Sequence, residues 1–288
     1  MGTNTKAVLI PLFLLVLVIS AIWMARPVKA QQQQQQQQQR PANPKQVIIT
    51  FDDDWLGQYK YAMPILQKYG FNATFFVTCQ GPLGQSPEFQ RGNSSDITTW
   101  NELKDIKSKG FDIENHGMTH HSLVGASDPV LVNEIVQSKQ CLIDHLGVNA
   151  SVYAPAYSMP LNDQKVNALI ANHYDFARNG YGIAEYSSPQ YALTTDSLNL
   201  LDKLFAHNTS EISTAFGKGM SRLAKNEIPV LVYHNVAPLN QTESNWHNST
   251  TTPETFEAEM KWLKDNGFQV HSIRDLKYNE KEHRFEIK

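Results

Sequence analysis

Three consecutive carboxylates, Asp52, Asp53 and Asp54, close the apolar run Val47–Phe51. Like charges side by side repel, so their crowding calls for a positive partner nearby. His116 and His120 stand four residues apart in HGMTH. On a helical turn that spacing sets both imidazoles on one side, able to share one cation. Two imidazoles and one carboxylate make a site with room for water, suited to Zn2+ and also to Co2+, Ni2+ or Fe2+. Such a cation lowers the pKa of a water it touches from ~15.7 toward ~7. A neighbouring carboxylate can take the proton as that water attacks a carbonyl. The metal and a backbone N–H would hold the oxyanion, and His234 is placed to protonate the leaving atom. This is the chemistry of amide or ester hydrolysis. His121 breaks the spacing and reads as an exposed neighbour.

The elements that must position these groups alternate between strand and helix. Val47–Phe51, Ala73–Thr78, Phe111–Glu114, Ser151–Ala154, Val230–Tyr233 and Gln269–Ser272 read as short strands. Between them, helical patterns run over Gln58–Tyr69, Trp100–Lys109, Pro129–Leu146, Gln164–Asn172 and Pro253–Asn266, several stopped by glycine. Strand-helix alternation at this spacing implies βα units and a mainly parallel sheet or barrel. In such folds functional groups collect at the carboxyl ends of strands. Asp52–Asp54, Asn115–His121, Tyr157 and His234 each follow a predicted strand, so four distant stretches would meet on one face.

The chain of 288 residues carries 25 Lys+Arg against 28 Asp+Glu, a net charge of −3, which leaves no basic footprint for nucleic acid. Lys6 precedes an apolar run from Ala7 to Ala25, and Val28-Lys29-Ala30 offers the small residues a signal peptidase reads. The run is long for a cleaved leader and close to the ~20 residues that span a bilayer, so residues 1–30 read as a signal peptide or an N-terminal membrane anchor. Gln31–Gln39 is unbroken polyglutamine, part of a linker over 31–45. The remaining body, 46–280, is then exported, secreted or held at the outer face of the membrane. Asn72, Asn93, Asn149, Asn208, Asn240 and Asn248 open N-x-Ser/Thr sequons. Cys79 and Cys141 could pair in an oxidising compartment, although two buried free thiols is the reading favoured here.

TFDDD at Thr50–Asp54, HGMTH at His116–His120 and LVYHN at Leu231–Asn235 together resemble the polysaccharide deacetylases of the NodB-homology type, carbohydrate esterase family four. The resemblance covers roughly Gln46 to Leu276, with the motifs in the family's order. It implies a distorted (β/α) barrel of about seven strands, acting as a monomer on N-acetylglucosamine-containing polysaccharide such as peptidoglycan, chitin or exopolysaccharide. It further implies Asp52 as general base, Asp53, His116 and His120 as metal ligands, His234 as general acid, and the Tyr157 N–H at the oxyanion. Trp55, Tyr157 and Trp246 are candidates to contact sugar. The chain departs from the family in having Asp54 where Gly is usual and Gly117 where Ser or Thr is usual. The family's Arg-x-Pro-Tyr, whose Arg orients the base, is Ala154-Pro155-Ala156-Tyr157 here. Arg178 is the candidate to replace that Arg, and Asp175 to support His234. These departures keep open another amide, an imide or an O-acetyl ester as substrate. A non-catalytic glycan-binding module is the reading from another class, and the intact Asp52 argues against it.

Overall fold

A computed structural model describes residues 45–83, 96–157, 163–179, 182–185, 192–194, 217, 220, 228–242, 249–279, 281 and 284–288. The expected leader and polyglutamine linker lie outside the described residues. Lys45–Lys288 forms a compact unit of its own. Its strands are β1 (Lys45–Asp52), β2 (Thr74–Val77), β3 (Asp112–Asn115), β4 (Val152–Tyr153), β5 (Phe176–Asn179), β6 (Gly182–Glu185), β7 (Ala192–Thr194), β8 (Val230–Tyr233), β9 (Asn235–Val236), β10 (Thr250–Thr251), β11 (Phe268–His271), β12 (Leu276–Asn279) and β13 (Arg284–Ile287). Its helices are α1 (Met63–Tyr69), α2 (Trp100–Ser108), α3 (Asp128–Val132), α4 (Ser138–Leu146), α5 (Gln164–Ala171) and α6 (Pro253–Asp265). Wide π turns precede α1 at Gln58–Ala62 and α4 at Asn133–Gln137.

The main sheet is a curled, mostly parallel half-barrel. Strands β1 to β5 run parallel in chain order; β8 pairs along the opposite edge of β1, and β11 pairs with the first half of β1 on the same edge as β2, so Ile48 stands between Val230 and His271. β6 and β7 extend the far edge antiparallel. Side-chain alternation along β1 supplies the two faces of the sheet. Val47, Ile49 and Phe51 face outward into a core with Leu66, Leu103, Ile106, Ile135, Leu142, Phe256, Met260 and Leu263 of the surrounding helices and turns. Ile48 faces inward with Phe76, Val152, Ala154, Phe176 and Val230, closed below by Ile273, Leu276 and Phe285. Charge completes that lower closure. Arg274 donates to Glu114 at 2.9–3.0 Å and lies 3.1 Å from Asp112, both buried. The β12–β13 hairpin carries the fold through Ile287.

Local sequence explains where the elements stop. Thr99 and Glu102 form a capping box at the start of α2. Gly70 ends α1 with φ of 68°, a left-handed cap that a β-carbon would strain. Cys79 and Cys141 are joined as a disulfide, which corrects the free-thiol expectation. The bond ties the end of β2 to α4, two segments brought together by β2–β3 pairing and by helix packing rather than by anything local.

Candidate metal and hydrolytic centre

Asp53, His116 and His120 converge above the carboxyl ends of β1 and β3, all three buried. Asp53 Oδ1 lies 3.2 Å from His116 Nε2 and 2.9 Å from His120 Nε2. Ligands that each sit about 2.0–2.1 Å from one Zn2+ are spaced by about this much. The tautomer also fits. His116 Nδ1 donates to the Ala154 carbonyl at 2.7 Å, which can only accept, so Nε2 presents its lone pair to the cluster. Burial opposes a charged imidazole at His116, yet Asp52 and Asp53 outweigh it and hold its pKa above the ordinary histidine value. The surroundings therefore favour a positive charge, which a divalent cation held by these three residues would provide.

Asp52 points into the barrel beside this cluster. Arg178 of β5, itself buried, donates from Nη2 to both Asp52 oxygens at 2.5 Å, and its guanidinium stacks 4.7 Å from the Phe76 ring centre. The register of β4 with β5 pairs Val152 with Phe176 and Tyr153 with Ala177. Continuing that register by one step would set position 154 beside Arg178. The guanidinium thus reaches the carboxylate from the strand next to the one that carries the family's Arg.

His234, half-buried after β8, brings Nε2 to 4.0 Å from Asp53 Oδ2. Gln58, which opens the first π turn, donates to the Asp52 carbonyl at 2.5 Å and the His234 carbonyl at 3.0 Å. It clamps the two strand ends together, and nothing in the sequence marked it. The exposed ring of Tyr157 (59%) stands 4.8 Å from that of His120.

Asp54, which the sequence left unexplained, holds the loop together. Its carboxylate accepts from the Thr78 N–H at 3.0 Å and from the Thr78 hydroxyl. Its carbonyl accepts from the Thr98 N–H at 2.8 Å and the Thr98 hydroxyl at 3.0 Å. Burial pushes the Asp54 carboxyl up to about 7, against the Thr78 bonds that pull it down. A β-carbon on Gly81 would come within 2.5 Å of that carboxylate, so the glycine leaves the space it needs. Among the described residues, the non-glycine residues with positive φ are Asp53 (77°), Asp54 (55°), His120 (63°) and Tyr157 (61°). Backbone strain is thus concentrated at this centre, as it is where geometry is imposed for function.

Other expectations are not met. Asp175 is exposed and precedes β5 at the amino end of the sheet, with its N–H on the Ser151 carbonyl, so it does not support His234 at the opposite end. Trp55 is only 2% exposed and bridges to Ile97, so among the described residues the open aromatic ring beside the ligands is that of Tyr157. Trp246 lies outside the described residues.

The chain thus presents a curled parallel β/α sheet that bears an Asp-His-His cluster and a buried Arg-Asp pair at its carboxyl edge. The polysaccharide deacetylase family model matches residues 39–177, the segment that carries all three clustered ligands. YxkH of Bacillus subtilis (strain 168), a candidate polysaccharide deacetylase, is 33% identical over 102 residues, covering 35% of this chain and 33% of its own. The match thus spans about a third of that relative's length. Among solved structures, the family 4 carbohydrate esterase from Streptomyces lividans in complex with acetate has a TM-score of 0.53 at 16% identity, over 86% of this chain and 99% of its own. Peptidoglycan deacetylase PdaC from Bacillus subtilis has a TM-score of 0.51 at 14% identity, over 81% and 89%. These likenesses show a common fold.

Proposed function

We propose that the protein is a metal-dependent hydrolase that removes N-acetyl groups from N-acetylglucosamine-containing polysaccharide outside the cell membrane. The observation that carries this reading is the Asp52–Arg178 pair set beside three clustered ligand groups. A binding module has no use for a carboxylate held in place by a buried guanidinium next to a cation site. The names of the relatives support a glycan substrate. The apolar run Ala7–Ala25 and the Cys79–Cys141 disulfide support an exported protein.

A divalent cation on Asp53, His116 and His120, with Zn2+ the first choice, would supply Lewis acidity toward the acetyl carbonyl. The chain's own groups divide the remaining work. Asp52, oriented by Arg178, accepts the proton of the attacking water. The Tyr157 N–H, presented by a left-handed turn, donates to the carbonyl oxygen as charge builds there. His234, near the cluster and open to solvent, gives a proton to the departing amine. The Tyr157 ring flanks the position of the sugar.

Acetate release from chitin oligomers, peptidoglycan fragments and acetyl-xylan, with and without chelator, tests this reading. We expect release from an N-acetylated substrate, abolished by chelation and restored by Zn2+. Asp52→Asn should lose turnover while binding metal as before, whereas His120→Ala should lose both. Turnover of Asp52→Asn at the wild-type rate would remove Asp52 as base. No release from any substrate by the fully metal-loaded protein would overturn the enzyme assignment.

A further inference from the structure

The loop that carries the two histidines is organised around a buried carboxylate on a separate element. Glu134 lies in the π turn between α3 and α4 and is 1% exposed. Its side chain accepts from the Met118 N–H at 2.9 Å, the Thr119 N–H at 3.1 Å and the Thr119 hydroxyl at 2.5 Å. Among the described residues it forms no ion pair, and apart from a long 3.5 Å contact from the Asn133 amide its donors belong to the histidine loop itself. Those donors lie between His116 and His120.

Gly117 completes the fit. It has φ of 100°, and a β-carbon there would come within 2.6 Å of Glu134 Oε2. A side chain at position 117 and the Glu134 carboxylate cannot occupy the same space. From its other side the loop is held by β2's extension, where the Cys79 N–H donates to the Gly117 carbonyl at 3.0 Å and the Gln80 N–H to that of Met118 at 2.9 Å. His120 leaves this clamp with φ of 63°, a conformation a histidine adopts at a cost that the neighbouring bonds must offset.

We propose that Glu134 is the residue that positions the metal-binding loop, acting as an anionic template that fixes the 117–119 backbone and so sets the spacing of His116 and His120. It touches neither substrate nor cation, and its action is on metal affinity through the loop. The inference rests on the metal reading above. Glu134→Gln keeps the shape but removes the charge and replaces one of the two acceptor oxygens with an NH2 donor, so the loop loses the anionic half of its template without losing volume.

The test is Zn2+ affinity, measured by competition with a chelating dye on the full chain, together with thermal unfolding of the metal-free protein. Loss of a residue that orients metal ligands typically weakens affinity about 10- to 100-fold. We expect that loss for Glu134→Gln, with metal-free unfolding close to wild type and turnover recovered at saturating Zn2+. A Zn2+ Kd for Glu134→Gln equal to that of wild type overturns the inference. Should that variant fail to fold, Thr119→Val removes one donor to Glu134 and should weaken Zn2+ binding by a smaller factor; an unchanged Kd there overturns it too. Wild type that binds Zn2+ but releases no acetate removes the deacetylase reading and leaves Glu134's role standing. Wild type that takes up no Zn2+ overturns both.

Discussion

Arg178 shows how far a single residue's chemistry can be separated from its position in the chain. A carboxylate held fixed inside a barrel calls for a cation, and the planar guanidinium also lies over the Phe76 ring, a contact lysine does not reproduce. What it does not require is any one strand as the source. Truncating one partner of a buried pair leaves the other charge uncompensated. We therefore expect Arg178→Ala to lower kcat by at least about 100-fold, Arg178→Lys to recover little of it, and Arg178→Ala with Ala154→Arg to recover much of it. Acetate release at saturating Zn2+ measures all three. A double variant no better than Arg178→Ala would show that the two positions are not equivalent. At this scale the meeting of residues was legible where they sit in contiguous motifs, as for Asp53, His116 and His120, which the fold brings into one cluster. Asp54 was not legible, because its partners Thr78 and Thr98 lie on other segments and carry no signature of the contact.

Elements with strong period and clear stops, such as α6 and β8, fall within a residue or so of expectation. β5 was missed because Phe-Ala-Arg-Asn is short and turns a charge inward, which breaks the apolar pattern of a buried strand. The two π turns were also missed, since their periodicity differs little from that of a helix. Each places a polar side chain on loop backbone at the site, Gln58 from the first and Glu134 from the second. Helix α6 carries a different buried acid. Glu259 accepts from the Tyr233 hydroxyl at 2.8 Å, and burial pushes its carboxyl up to about 8. A folded pKa raised above the unfolded value of 4.5 means the folded state holds the proton longer, so stability falls as pH rises between those values. The loss complete above pH ~8 is a few kcal/mol. Glu259→Gln should unfold near the wild-type temperature at pH 5 and at a higher temperature than wild type at pH 9. Equal melting temperatures at pH 9 would contradict a buried neutral Glu259.

The molecule as a whole is held by closures between distant segments. The disulfide joins residues 62 apart in the chain and stitches the end of β2 to α4, on either side of the histidine loop. By removing freedom from the unfolded chain, a bond of that span contributes roughly 2–4 kcal/mol. We expect Cys79→Ser with Cys141→Ser to lose about that much in denaturant unfolding; no loss would show that the bridge is dispensable. Neither cysteine's neighbours announce the pairing, which is a property of the completed fold. The overall architecture, by contrast, was readable from strand-helix alternation, because each βα unit repeats the same local pattern.

The neighbouring placement of Ala154 and Arg178 bears on how such chains are sorted. Alignment compares letters along a thread, while the carboxylate inside the barrel is served by whichever adjacent thread delivers the charge. A chain that scores as lacking its arginine at one column can hold it at another column, one strand away in space and one helix later in order. Judging whether such a chain is catalytically competent therefore calls for a check across the sheet before the missing letter is counted as a loss.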